Sequence, residues 1–187
     1  MLAFENSFKK AIYKMMEIIS TKIPDNIQEP VKAYITGGSA VHFYSGSRVS
    51  DDVDIILSHT VNIPKDLTVI WIDNEDNINQ VAYDYTYNPT LGLMHEDYED
   101  RAKLIKSIDS KFEIYLLSPI DLIISKISRY ASNDEKDIEN IIDKCDIDRN
   151  ELYKLAKDTI NVSVATDKEF ALIKLDWIME YIQNKKA

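Results

Sequence analysis

The sequence contains little cysteine, glycine or proline, and each scarcity limits what the protein can be. Its 187 residues include one cysteine, Cys145, which excludes a disulfide framework and a cysteine-rich metal site. A lone thiol is typical of a reducing compartment, so we predict a cytoplasmic protein. Four glycines and five prolines are too few for a low-complexity linker, and no internal repeat is present.

Long apolar runs and excess positive charge are also missing. No apolar run approaches the roughly 18–20 residues that a spanning helix needs, so we predict no membrane partner. The N-terminal stretch is interrupted by charged residues and lacks a signal-peptide cleavage pattern, so we predict an amphipathic helix over residues 3–22. The net charge of −10 disfavours broad nucleic-acid binding but suits small phosphorylated ligands held through metal ions.

The order of apolar segments and turn signals predicts a mixed fold. Runs rich in β-branched and aromatic residues predict strands at 31–36, 52–58, 67–73, 81–87 and 112–118. The stretch "GLMHEDYEDRAKLIK" predicts a loop and a helix. Four helical segments follow, and the first has Ser118 as its N-cap and Pro119 at its first position.

We therefore predict an α+β fold, or an α/β variant, in which helices flank a mixed sheet. The change of character after residue 118 divides the chain into an α/β core, 1–118, and a helical C-terminal region, 119–187, packed on that core. The alternative is that both parts form one single domain.

The segment "YITGGSAVHFYSGSRVSDDVDIIL" carries the chemistry that the composition allows. Gly37 and Gly38 end a strand and begin a helix, so their backbone can approach a phosphate, and Ser39 adds a hydroxyl. Arg48 can neutralise phosphate charge or order the loop. His42 is either a packed side chain or a neighbour of the phosphate.

Asp52 and Asp54 share one face of the predicted strand, about 6–7 Å apart at Cα. Two adjacent acids would repel each other without a cation, and carboxylates are ligands that Mg²⁺ prefers. The segment therefore predicts a phosphate cradle beside a magnesium clamp, which are the parts that phosphoryl or nucleotidyl transfer requires.

This order of strand, Gly-Gly-Ser, helix and "RVSDDVDI" resembles the signature of the nucleotidyltransferase fold of the DNA polymerase beta superfamily. More narrowly, it is similar to the AbiEii-type toxin nucleotidyltransferases and their relatives. The motif of that branch falls on Arg48, Ser50, Asp52 and Asp54, which makes Asp51 a spacer.

The resemblance extends to two later helices. It implies a Lys-x-x-Arg segment at Lys126 and Arg129, which are three residues apart and share a helical face, and a basic-Asp segment that ends at Asp137. Asn140 stands where relatives often have a second acid. The wider superfamily also implies a third metal-binding carboxylate on a neighbouring strand, for which Glu113 and Asp84 are the candidates.

The resemblance implies a Mg²⁺-dependent enzyme that transfers a nucleotide from an NTP to a hydroxyl of RNA, such as tRNA, or of a protein. It also implies a toxin of a toxin–antitoxin or phage-defence system, with an antitoxin partner. Asp52, Asp54, Lys126 and Asp137 would be catalytic, and the first two would hold the metal with Glu113. The alternatives are a catalytically silent nucleotidyltransferase-fold binding module and a structural subunit that docks through its last helix.

Overall fold

The computed structural model describes residues 4–5, 7–46, 48–129 and 132–185. The chain folds as two compact units. The first, which we call the sheet unit, comprises the described residues of Met1–Tyr87 and Ala102–Leu116. The second, the helical unit, comprises the described residues of Asn88–Arg101 and Leu117–Ala187.

The sheet unit contains two mixed four-stranded sheets. The first sheet has the order β1-β5-β6-β3, with β1 at Phe4–Glu5, β5 at Thr68–Ile72, β6 at Ile78–Tyr83 and β3 at Asp52–Val53. The second has the order β4-β2-β8-β7, with β4 at Ile55–Leu57, β2 at Val31–Ile35, β8 at Phe112–Leu116 and β7 at Lys103–Ile108. Strands β3 and β4 are consecutive in sequence, so the chain passes from one sheet to the other at Asp54.

Two helices accompany these sheets. Helix α1, Phe8–Ser20, begins at its N-cap Ser7, whose hydroxyl accepts a hydrogen bond from the Lys10 N–H at 3.3 Å. Its apolar residues recur at helical spacing and are buried: Phe8, Ala11, Ile12, Met15, Met16 and Ile19. The Phe8 ring lies 5.6 Å from the Trp71 ring of β5, which fixes α1 on the first sheet. Helix α2, Gly37–Ser45, follows β2 directly.

The helical unit begins with a 3₁₀ turn, Pro89–Leu91, and the short helix α3, Tyr98–Arg101. Four longer helices follow: α4 at Pro119–Ile127, α5 at Ser132–Lys144, α6 at Arg149–Val162 and α7 at Lys168–Lys185. Arg101 joins α3 to α4, because its guanidinium donates to both carboxylate oxygens of buried Asp121 at 3.0 and 2.7 Å. No helix among the described residues is long and apolar enough to cross a bilayer.

The predicted fold class is confirmed, since two mixed sheets precede a helical C-terminal region. The predicted cap of α4 is also confirmed, because the Ser118 hydroxyl accepts from the Asp121 N–H at 3.1 Å and Pro119 opens the helix. The helix predicted over 3–22 begins later, at Phe8, because Phe4 and Glu5 pair with β5; residues 3 and 6 lie outside the described residues.

The single strand predicted at 52–58 is divided between β3 and β4, which belong to different sheets. Two other predictions of secondary structure were also wrong in part. The strand predicted at 81–87 occupies Ile78–Tyr83, because its tyrosine-rich second half forms a turn. The segment predicted as a loop and a helix also contains most of β7, an edge strand beside β8 in which two lysines accompany aliphatic residues. The early end of the strand predicted at 81–87 moves Asp84 out of the strand and into the turn.

Candidate metal and nucleotide site

Gly37 marks the junction between β2 and α2, and its geometry requires glycine. Its φ of +61° lies in the left-handed region that side chains disfavour. A Cβ atom there would lie only 1.8 Å from Oδ2 of Asp54. The missing side chain therefore leaves the space that the Asp54 carboxylate occupies beside the start of α2.

Gly38 makes a second close approach. A Cβ at this position would lie 3.1 Å from the Ser50 hydroxyl oxygen and 3.3 Å from Nε of Arg48. The glycine pair thus allows the segment 48–54 to pack against the N-terminus of α2. The first N–H groups of any helix have no partner within it, so this end of α2 is suited to bind an anion.

The passage of the chain between the sheets places Asp52 and Asp54. Asp52 belongs to β3, and Asp54 follows the buried Val53, before the chain enters β4. The backbone carbonyl of Asp54 accepts from the Thr36 N–H at 3.0 Å, which extends the pairing of β2 with β4 to the residue before the glycines. The two acids therefore lie at the end of β2 where α2 begins.

Asp84 is brought to the same place by β6. This strand runs parallel to β3, with Asp52 opposite Ala82 and Val53 opposite Tyr83. The Asp84 N–H donates to the Val53 carbonyl at 3.2 Å, so the pairing continues one residue beyond the strand. Oxygens of Asp52, Asp54 and Asp84, here called the carboxylate triad, lie within 4.8 Å of one another. The described residues contain no other such group of three.

Hydroxyl groups hold two members of the carboxylate triad. Ser50 donates to Oδ1 of Asp52 at 2.9 Å. Thr86 donates to Oδ1 of Asp84 twice, from its N–H at 2.8 Å and from its hydroxyl at 2.6 Å. The fully buried Ser39 donates to the backbone carbonyl of Asp52 at 2.9 Å, so its hydroxyl ties α2 to β3. A direct contact of Ser39 with phosphate stays a prediction.

Arg48 lies beside Gly38, and His42 of α2 contacts the Arg48 backbone. The Arg48 side chain donates from Nη1 to the Val49 carbonyl at 2.8 Å, and its own carbonyl lies 2.7 Å from Nδ1 of His42. A carbonyl can only accept, so Nδ1 of His42 carries the proton. The imidazole also meets the edge of the Phe8 ring at 4.8 Å, and burial lowers the pKa of His42 below its ordinary value. His42 thereby fixes the Arg48 loop against α2.

Glu113 lies elsewhere in the sheet unit. It is opposite Lys32 in the parallel pairing of β2 with β8, five residues before Gly37 and so about 16 Å from it along the strand. The Tyr115 hydroxyl donates to Glu113 at 2.9 Å, and burial, followed by this bond, raises the pKa of Tyr115. The structure thus brings Asp84, and not Glu113, to Asp52 and Asp54.

The predicted residues of the later helices form a group within the helical unit. Lys126 is only 3% exposed, and its ammonium contacts Asp134 at 3.1 Å and Asp137 at 2.8 Å. We call these three residues the lysine cluster; it links α4 to α5. The prediction that Arg129 shares a helical face with Lys126 was wrong, because α4 ends at Ile127 and Arg129 lies beyond its C-cap, with Nη2 3.8 Å from Oδ1 of Asp134. The catalytic role of Lys126 and Asp137 and the nucleotide contact of Arg129 stay predictions.

Sequence reasoning had not assigned functional roles to Thr86 and Asp134; the latter was only a candidate helix cap, and it lies within α5 instead. Thr86 stands two residues after Asp84, in the Asp-x-Thr order that forms a side-chain turn, and this local signal was available in the sequence. Asp134 gave no comparable signal, because an acid near a helix N-terminus is ordinary there. Its contact with Lys126 depends on how α4 and α5 pack.

The comparison with protein families identifies the class. The chain belongs to the family described as "Nucleotidyltransferase of unknown function (DUF6036)", whose sequence model matches residues 12–186. The resemblance to nucleotidyltransferases is therefore confirmed, and nucleotidyl transfer is the class of activity that the family indicates. The narrower likeness to the AbiEii-type toxins stays a prediction.

The chain is similar in fold to solved structures, one of which has a related description. It is the crystal structure of an antigenic nucleotidyltransferase-like protein from Paracoccidioides brasiliensis, with a TM-score of 0.45 and 14% sequence identity over 92% of this chain and 94% of that one. A likeness of this size carries no inference about activity. No curated protein matches the sequence.

Proposed function

We propose that the protein transfers a nucleotide from an NTP to an acceptor hydroxyl, with a divalent cation, Mg²⁺, bound by the carboxylate triad. The observation that carries this proposal is the convergence of oxygens from Asp52, Asp54 and Asp84 within 4.8 Å. Family membership supplies the reaction class, and the triad supplies the place where the reaction would be catalysed.

The triad fits a hard divalent cation in donor type and spacing. Mg²⁺ takes oxygen ligands at about 2.0–2.1 Å in octahedral geometry, so its ligands are separated by at most about 4.2 Å. The oxygens of the triad, within 4.8 Å of one another, need to approach only slightly to meet this limit. The space that the absent side chain of Gly37 leaves for Asp54 is further support, because a Cβ would fill it.

The chain's own residues would bind and orient the nucleotide. The N-terminus of α2 at Gly37 and Gly38 would bind the triphosphate, and Arg48 would offset its charge. A bound cation would neutralise charge on the phosphate oxygens. In the transfer, the acceptor oxygen would form a bond to the α-phosphorus while the bond to pyrophosphate breaks and the hydroxyl proton passes to water. The fixed carboxylates would align these groups.

The acceptor and the biological role complete the proposal. The motif resemblance supports an RNA, such as tRNA, or a protein as acceptor, and a toxin role with an antitoxin partner in the cytoplasm. Lys126, Arg129 and Asp137 would contribute as that resemblance implies.

The test is transfer of label from each of four α-labelled NTPs, with Mg²⁺ and with cellular RNA or protein as acceptor. Asp52→Ala/Asp54→Ala should reduce transfer by at least about 10³-fold, since losing about 4 kcal/mol of transition-state stabilisation has that effect. Asp51→Ala is the matched control, because it removes a neighbouring exposed acid outside the triad. Transfer that survives the double substitution would disprove the site. An NTP-dependent rise in Tm without transfer would support the catalytically silent binding module.

A further inference from the structure

We propose that Thr86 is a positioning residue for the cation site, which fixes Asp84 so that one carboxylate oxygen is held by the protein and the other faces the ion. This inference rests on the proposed function, because it concerns the same site. It adds a residue that lies outside the Gly-Gly and Asp-x-Asp segments.

The hydrogen bonds that Thr86 donates to Asp84 end on a single carboxylate oxygen. Both donors of Thr86, the N–H at 2.8 Å and the hydroxyl at 2.6 Å, end on Oδ1 of Asp84. Thr86 therefore leaves Oδ2 of Asp84 to a ligand. A carboxylate held at one oxygen presents the other in a defined direction, which favours binding through a single oxygen.

The backbone does not by itself orient the carboxylate of Asp84. The Asp84 N–H is bound to the Val53 carbonyl at 3.2 Å, which places the Cα atom beside the other two acids. The side chain still has several staggered rotamers, and at a partly exposed position little packing selects among them. The two hydrogen bonds from Thr86 select one rotamer of Asp84. This side chain therefore loses its conformational freedom when the protein folds, and ion binding does not have to restrict it again.

Ser50 holds Asp52 in the same way as Thr86 holds Asp84. Ser50 donates to Oδ1 of Asp52 at 2.9 Å, as Thr86 donates to Oδ1 of Asp84. Each hydroxyl is two residues from its acid, Ser50 before and Thr86 after. Metal-binding carboxylates are commonly oriented by such outer hydrogen bonds, and neutral hydroxyl donors leave the negative charge available to the cation.

A turn-forming role alone is the competing explanation, because an Asp side chain that accepts from the N–H two residues later is a common local turn. The chain provides a matched control for that explanation. Asn88 Oδ1 accepts from the N–H of Thr90 at 3.0 Å and from its hydroxyl at 2.8 Å, which is the same local motif built on a neutral amide. A purely local role predicts equal effects of substitution at Thr86 and Thr90.

The experiment compares Thr86→Val, Thr86→Ser and Thr90→Val in the full chain. Valine keeps the branched shape and removes the hydroxyl, whereas serine keeps the hydroxyl. Affinity for Mg²⁺ and Mn²⁺ is measured without nucleotide, by calorimetry and by the rise in Tm with metal concentration. We expect Thr86→Val to weaken metal affinity by about tenfold, the lower end of the usual outer-shell effect, because Thr86 is exposed. Thr86→Ser should restore it, and Thr90→Val should leave it unchanged.

Metal affinity of Thr86→Val equal to that of the unaltered protein, or lowered equally by Thr90→Val, would overturn the inference while leaving the proposed function intact. If the unaltered protein binds metal but transfers no nucleotide, the proposed function fails, and a selective loss of metal affinity in Thr86→Val still supports the role of Thr86. If the unaltered protein binds neither ion, the cation site and this inference both fail.

Discussion

The carboxylate triad of the sheet unit and the lysine cluster of the helical unit gather acids in opposite ways. In the lysine cluster, the side chains of Asp134 and Asp137 are 8% and 3% exposed and contact the ammonium of Lys126. In the carboxylate triad, Asp52 is exposed, its two partners are partly exposed, and Ser50 and Thr86 supply hydroxyl donors.

The chemical type of the hydrogen-bond donor determines whether a group of acids links protein segments or can bind a cation. An ammonium neutralises the carboxylates that it contacts, so the lysine cluster is suited to link two helices. A hydroxyl orients a carboxylate and leaves its charge in place, so the carboxylate triad is suited to bind an external cation. The following four substitutions test this comparison through the free energy of unfolding, in order of decreasing effect.

Lys126→Met should have the largest effect, because it leaves Asp134 and Asp137 buried without the ammonium. We expect a loss of about 3–5 kcal/mol in the free energy of unfolding, measured by urea denaturation. Lys136→Met, at an exposed position on α5, is the control and should have little effect. Adding Asp134→Asn and Asp137→Asn to Lys126→Met should recover part of the loss. An unchanged stability for Lys126→Met would show that the lysine cluster does not depend on its ion pairs.

Gly37→Ala should follow, because it combines backbone strain with a clash against Asp54. We expect a loss of about 2–4 kcal/mol, the sum of the left-handed penalty and overpacking. Gly46→Ala is the matched control, since Gly46, the C-cap of the same helix, has a φ of +71° with nothing within 4 Å of an added Cβ. Only the strain, about 1–2 kcal/mol, should appear there.

Asp54→Ala introduced together with Gly37→Ala should relieve most of the clash, since only the Cβ of residue 54, 3.2 Å from the added Cβ, remains close, and should leave mainly the strain. Chemical denaturation of the four proteins in this cycle measures the coupling between the two residues. Additive effects would mean that Gly37 does not make room for the Asp54 carboxylate.

Asp84→Asn should have a small effect whose sign depends on metal. The amide oxygen can still accept from Thr86, so the change removes one negative charge from the triad and little else. Without metal and with chelator we expect a gain of about 0.2–1 kcal/mol in the free energy of unfolding, as repulsion decreases. With millimolar Mg²⁺ the order should reverse, because the unaltered protein gains more from binding. The same order under both conditions would contradict a cation site at the triad.

His42→Asn should have the smallest effect, and the part of it that depends on pH should appear only in acid. Burial lowers the pKa of His42 in the folded state, so the unfolded chain takes up a proton first as pH falls below about 6.5. Stability should therefore decrease from that pH downward toward the folded-state pKa. Asparagine keeps a donor for the Arg48 carbonyl and does not titrate, so the difference between the two proteins from pH 7.5 to 5 isolates His42. A difference independent of pH would exclude this coupling.

Much of the fold and part of the site could be predicted from local sequence. Strand β2, the helix after the glycines and the Ser118 cap depend on neighbouring residues, and each is found as expected. Asp52 and Asp54 could be chosen because two acids before a buried apolar run are costly without a function. The prediction failed at the end of β6, where tyrosines of high strand propensity form a turn instead.

Local sequence signals do not distinguish the two candidates for the third carboxylate. Asp84 and Glu113 have similar sequence surroundings, with an acid among apolar and aromatic residues. The parallel pairing of β6 with β3 brings Asp84 to Asp52, whereas the pairing of β8 with β2 places Glu113 opposite Lys32. Which strands pair depends on residues far apart in the chain, so local sequence does not fix it.

The sequence by itself determined the class of fold, the Gly-Gly turn and the two acids that follow it, because these depend on composition, spacing and nearby residues. Only the tertiary structure decided which acid joins them, which hydroxyls orient the carboxylates and which lysine is buried between two acids. Those features require residues far apart in the chain to meet, and strand pairing and helix packing determine where they meet.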